Sequence, residues 1–472
     1  MISSEVDAAD VDSSRVQARG GASSKAPGPH GYPVLGALPQ VMKDPLQVLS
    51  RMVREYGDLV CLGGFGSQKF YLVTHPRDIE HVWKTHHKNY VRGSNFKLLR
   101  PLGGNGLFLN EGEPWRTQRR LLQPAFHLPR LMGMADTINA STEAMLERWR
   151  HGIGPGEPFD LEHEMMGLLI EVSVKTLFGT EVAGDGETVH EAITTAFSIL
   201  HRRVLSPVPF PWWVPFPDHV RFLRAVARLD EVVYRIIRER RQSGIEGNDV
   251  LSTLLSVRDE DGNPMPDQQI RDEVVTMLVA GHESTGASLS WTLYLLSRYP
   301  IVARRVEEEL AEVLGGRTPG FHDLPNLKYL SMVLKEGLRL YPPFWMLTRT
   351  PLEDDELAGH RIPAGSILMF SSYVTHRRPD FWANPEAFDP DRFLPENCEG
   401  RPPFAYFPLG GGPRVCIGSR LAEMQSLLVL AAALQRYSFH AVAGKRVEPA
   451  AMLSLRPKGG LWMTLYERPL PS

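Results

Sequence analysis

The sequence has 472 residues, 43% of them hydrophobic and 23% charged, with 52 Lys and Arg against 55 Asp and Glu. That balance is globular and excludes a wholly disordered or fibrous chain, and a net charge of −3 leaves no basic excess for nucleic acid. Three cysteines, Cys61, Cys398 and Cys416, exclude a disulfide framework and suit a reducing, cytoplasmic compartment.

Residues 1–26 are rich in Ser, Ala, Asp and Gly and read as a disordered leader with neither an export signal nor an anchor. Residues 27–472 show no linker and read as a single domain. Residues 27–36 form a stiff, Pro/Gly-rich start. A helix over 44–56, a hairpin from 59–64 and 69–74, and a helix over 76–88 follow. Residues 89–113 read as a long loop and 114–204 as several helices. Alternating prolines keep 206–217 out of a helix, and 218–242 resume as a charged one.

From Val274 to Leu296 the only strongly polar, ionisable residues are His282 and Glu283. A carboxylate at mid-bilayer depth is costly, so this is a helix through the centre of a soluble protein and not a transmembrane span. Helices over 301–315 and 326–341 come next, then short strands over 357–375, a last helix over 418–437 and strands to the end. The class is mainly α with small β-sheets near both ends.

Residues 407–418 read FPLGGGPRVCIG. Three glycines and a proline suit a tight turn that brings backbone close to something flat and delivers Cys416 to a fixed point. Amide dipoles at the start of the last helix favour a thiolate there, and Gly418 leaves room for amides to approach the sulfur. The plain alternative is a small buried cysteine. Two further motifs accompany this loop. Glu336 and Arg339, spaced i, i+3, share one helical face. The run from Ala280 to Thr285 combines small residues, which admit a planar group, with a carboxylate at Glu283 and a hydroxyl at Ser284. That hydroxyl can bond back to residue 280 and open the helix locally. His282 faces a neighbouring helix.

In these motifs and their order, from residue 27 to the C-terminus, the sequence resembles the cytochrome P450 family. The resemblance implies that family's fold, with the long central helix over a haem b (iron protoporphyrin IX). Cys416 would be the axial iron ligand in a loop from Phe407 to Gly418, and thiolate donation allows such a haem to cleave the dioxygen O–O bond. Ala280 and Gly281 would back the haem and dioxygen, and Glu283 with Ser284 or Thr285 would relay protons. Trp115, Arg119, Arg349 and Arg414 would hold the propionates. Glu336, Arg339 and Arg392 would be structural. Two positions depart from the family pattern. Leu409 replaces a phenylalanine that shields the thiolate, and Ser284 replaces a threonine and loses the rotamer-restricting methyl.

The implied activity is monooxygenation of a lipophilic fatty acyl, terpenoid or polyketide-like molecule. The apolar walls would be 89–113, Phe344 to Leu347 and 206–217. Because no flavin or iron–sulfur domain is attached, a ferredoxin or flavodoxin with its reductase would supply electrons. Arg116, Arg120 and Lys335 would form a docking patch on a monomer. A haem-thiolate isomerase or dehydratase, or a peroxygenase, is the alternative.

Overall fold

The computed structural model describes residues 25–31, 36–64, 68–179, 186–204, 210–244, 249–258 and 261–468. Most of the leader, residues 32–35 of the stiff start and residues 206–209 of the Pro-aromatic segment lie outside the described residues.

The chain begins with helices α1 (Leu38–Lys43) and α2 (Pro45–Tyr56), strands β1 (Leu59–Gly63) and β2 (Phe70–Val73), and helix α3 (Pro76–Glu80). The expected loop at 89–113 is more structured than its sequence suggests. It holds β3 (Tyr90–Arg92), a 3-10 turn at Ser94–Leu99, α4 (Arg100–Gly103) and the start of α5 (Gly112–Leu122). Next come α6 (Leu128–Gly152), β4 (Phe159–Asp160), α7 (Leu161–Phe178), α8 (Gly186–Val204), α9 (Pro217–Ser243) and α10 (Val250–Ser256). The central helix α11 runs from Asp267 to Arg298, seven residues earlier than the apolar run, because its first two turns are polar, with Arg271, Asp272 and Glu273 buried.

After α11 follow α12 (Pro300–Leu314), α13 (Lys328–Leu340), β5 (Leu347–Pro351), β6 (Asp355–Leu357), β7 (His360–Ile362) and β8 (Ile367–Phe370). The sequence pattern started these strands at 357 and missed β5. Short α14 (Ser372–Thr375) and α15 (Pro395–Cys398) lead to α16 (Ser419–Arg436), β9 (Tyr437–Ala441), β10 (Pro449–Ala451), β11 (Leu455–Pro457) and β12 (Trp462–Glu467).

Helix α11 is the hub. It packs along α7, where Gly286 lets the helices approach so closely that an added Cβ would stand 2.8 Å from Met166 Sδ. It also contacts α9, α13 and α16. The main apolar core surrounds it, with Leu278, Leu289 and Leu293 fully covered. The largest sheet has the order β1-β2-β8-β5-β3, with β2 and β8 parallel and the other pairs antiparallel. Among the described residues no helix is long and apolar enough to cross a membrane.

Candidate functional site

The cysteine loop ends at Gly418, the N-cap of α16, so Cys416 stands just before a helix N-terminus. The Cys416 N–H donates to the Leu409 carbonyl at 3.0 Å and closes the loop. The glycines let the loop pack closely on neighbouring protein. A Cβ on Gly412 (φ +64°) would stand 1.8 Å from the Trp83 carbonyl oxygen, and one on Gly411 would stand 2.4 Å from the Phe404 ring. Phe407 is buried between Trp83 and His376, and its N–H donates 2.9 Å to His376 Nε2.

Cys416 keeps accessible surface, yet the protein packed around it pushes its thiol up. The Gly418 amide and Arg119 pull the other way and lose. A coordinating metal deprotonates a thiol outright.

Arg119 donates 2.8 Å to the Val415 carbonyl, which places its charge beside the sulfur. Arg414 stands 4.2 Å over the Trp115 ring and bonds the Asn110 carbonyl and the Glu111 carboxylate. Arg349 on β5 is paired in register with Arg92 on β3. Like charges opposite one another in a sheet repel. Arg349 is buried and Arg92 largely so; burial first and Arg414 next lower Arg349 to about 10, and burial, Arg349 and Arg414 hold Arg92 well below the usual arginine range. Glu111 is the one carboxylate that raises either of them. Arg92 Nε and Arg414 Nη1 are buried without a hydrogen-bond partner. Three guanidiniums against one carboxylate leave about two positive charges unbalanced, a donor set that fits a group carrying two carboxylates. Arg92 escaped the sequence reading. Its signal was the β-prone Tyr90-Val91 before it, inside a segment read as loop.

Helix α11 stays helical throughout, although Ser284 Oγ donates 2.9 Å to the Ala280 carbonyl as its spacing predicted. Thr276, Ala280 and Ser284, spaced four apart on α11, form a stripe that keeps accessible surface. Gly281 turns towards α7, where an added Cβ would lie 3.3 Å from Ser173 Oγ, and Thr285 is buried. His282 Nδ1 is 2.7 Å from the Leu278 carbonyl, and its ring meets Phe197 of α8.

Glu283 is buried and accepts a hydrogen bond from Ser454 Oγ. Arg456 of β11 lies 3.6 Å from Glu283 Oε1 and 2.6 Å from Glu162 Oε1, while His282 Nε2 lies 3.7 Å from Glu283 Oε2. Burial pushes Glu162 up to about 7, against the opposing pull of Arg456. Ser454, Arg456 and Glu162 carry no sequence signal that links them to Glu283.

Glu336 is fully buried and takes two bonds from Arg339, at 2.6 and 2.8 Å, and one from Arg392 at 2.9 Å. Arg339 also bonds the His376 carbonyl at 2.8 Å, which ties this cluster to the cysteine loop through Phe407.

A sequence model of the family described as Cytochrome P450 matches residues 26–463. The chain belongs to the cytochrome P450 family. It is 36% identical to a cyclooctat-9-en-7-ol 5-monooxygenase of Streptomyces melanosporofaciens, over 88% of this chain and 90% of that one. It is 32% identical to a pentalenene oxygenase of Streptomyces avermitilis, over 90% of this chain and 94% of that one. The crystal structure of the cytochrome P450DA haem domain superposes with a TM-score of 0.85 at 26% identity, covering 95% of this chain and 98% of that one. As a P450, the protein is a haem-iron monooxygenase of lipophilic small molecules that draws on a redox partner.

Proposed function

We propose that the protein binds haem b through Cys416 and hydroxylates or epoxidises a terpenoid skeleton, as the names of its bacterial relatives suggest. The observation that carries the reading is the unbalanced arginine cluster beside the cysteine loop. Arg92, Arg349 and Arg414 would hold the two haem propionates, and Trp115 would fix Arg414 through its ring face. A thiolate-ligated haem supplies dioxygen activation when bound.

The chain's own residues would do the rest. Phe407 and Gly418 would shape the loop around Cys416, with Arg119 screening the sulfur. Ala280 would leave space on the open face of α11, whereas Gly281 serves the packing against α7. Ser284 Oγ, on the half-exposed face of α11, would hold a proton for the reacting oxygen, and Glu283 would resupply it. Arg456 sits between Glu283 and Glu162 and would hold the Glu283 carboxylate in place. A cleft of about 440 Å³ lined by Trp115, Arg116, Arg119, Arg120, His127 and Pro413 lies on the cysteine side. Its arginines would receive an acidic ferredoxin or flavodoxin.

The decisive measurement is the absorption spectrum of the reduced, carbon monoxide-bound protein. A strongly red-shifted Soret band is expected, and Cys416→Ser loses it. An unshifted band in the wild type sinks the assignment. Turnover of a terpenoid alcohol without any reductant would instead support an isomerase or dehydratase.

A further inference from the structure

The chain between α4 and α5 follows an unusual course. The amides of Gly106, Leu109 and Asn110 find turn partners in the backbone, at Gly103 and Gly106. Those of Asn105 and Leu107 do not. They donate to two buried carboxylates in the first turns of α11, Asn105 N–H to Asp272 Oδ2 at 2.7 Å and Leu107 N–H to Glu273 Oε2 at 2.9 Å. Arg271, the residue before them, bonds the Leu102 carbonyl at 2.8 Å and Asp230 at 2.6 Å. Three consecutive α11 side chains thus grip two amides of this loop and one carbonyl at the end of α4.

The loop's sequence is cut for this contact. Gly104 (φ +54°) lies so close that a Cβ would meet the Asp272 carboxylate at 2.1 Å, and a Cβ on Gly106 would meet Thr276 Oγ1 at 2.0 Å. Asp272, Thr276 and Ala280 recur every four residues and share a helix face. The strap therefore lies on the stripe that continues to Ala280 and Ser284. At its far end Phe108 packs on Phe344 and under Arg92, and Glu111 pairs with Arg414. The strap spans from the start of α11 to the arginine cluster.

We propose that Asp272 and Glu273 are positioning residues that latch the 104–109 strap over the site, and that release of this latch admits the lipophilic substrate. The role in admission rests on the monooxygenase reading; the latch itself does not.

Hydrogen–deuterium exchange of the haem-loaded enzyme, resolved by mass spectrometry, tests it. Losing one such bond should speed exchange over 102–110 about tenfold in Glu273→Ala, with α13 and α16 unchanged. Glu273→Gln should keep protection, because its amide oxygen still accepts the Leu107 N–H. Gly106→Ala, which lifts the strap with both carboxylates intact, should match Glu273→Ala. Association of the lipophilic dye Nile red should quicken in the two variants whose strap is released.

Unchanged exchange in both, a uniform rise along the whole chain, or a Gln variant as fast as the Ala variant overturns the latch. Faster exchange with an unchanged dye association rate overturns its role in admission. A missing red-shifted carbon monoxide band with these exchange changes intact fails the monooxygenase reading and upholds the latch.

Discussion

Ser284 and Thr285 are neighbours on α11 that meet different surroundings. Ser284 is half-buried on the open stripe, whereas Thr285 is enclosed. A hydroxyl serves proton transfer only where it reaches the reacting oxygen. Ser284→Ala should therefore lower product formed per electron pair by about tenfold or more, with hydrogen peroxide rising in proportion. Thr285→Ser should leave the partition unchanged, and peroxide yield assayed with a surrogate reductase distinguishes them. Sequence spacing alone left the two hydroxyls as alternatives, because adjacent helix positions differ by 100° and only packing says which side is open. The same limit hid Ser454. Its contact with Glu283 joins residues 171 apart, and no local pattern encodes such a meeting.

At the scale of elements, backbone geometry at the cysteine loop sets where the sulfur stands. Gly412 combines a left-handed φ with a Cβ position already filled by the Trp83 carbonyl. Gly412→Ala should destabilise the fold by about 1–3 kcal/mol and weaken the red-shifted carbon monoxide band, read by urea unfolding and by spectrum. The start of α11 adds a pH dependence. Glu273 faces Leu107 N–H from the strap, and Gln269 Nε2 and the Asp272 carboxylate from its own helix; Arg271 and Asp230 pair beside them. Burial outweighs those hydrogen bonds and pushes Glu273 up to about 7. A raised carboxyl binds its proton more tightly folded than unfolded. Its contribution is thus full below about pH 4.5 and is lost as pH rises through 7. Glu273→Gln should flatten the loss of unfolding free energy between pH 5 and pH 8 by about 1–3 kcal/mol. An unchanged pH slope would contradict a buried, protonated Glu273.

At the scale of the whole molecule, the Glu336 cluster joins α13 to the segments before the cysteine loop. Arg339 reaches the His376, Pro385 and Ala387 carbonyls, and the Asp389 amide returns to Glu336. Removing one member of a buried, fully bonded ion group strands the rest. Glu336→Ala should cost about 3–5 kcal/mol and reduce haem retention on gel filtration.

The sequence by itself determined the class, the order of helices, the cysteine loop and the Glu-x-x-Arg pair. Those follow from periodicity, glycine and proline chemistry, and spacing within a few turns. Only the tertiary structure decided which arginines gather, because Arg92 meets Arg349 through the β3–β5 register and Arg414 from a distant loop. It likewise decided that the Asn105 and Leu107 amides end on α11 carboxylates. Backbone groups without a local partner must find one somewhere, and where they find it is settled by packing between segments far apart in the chain.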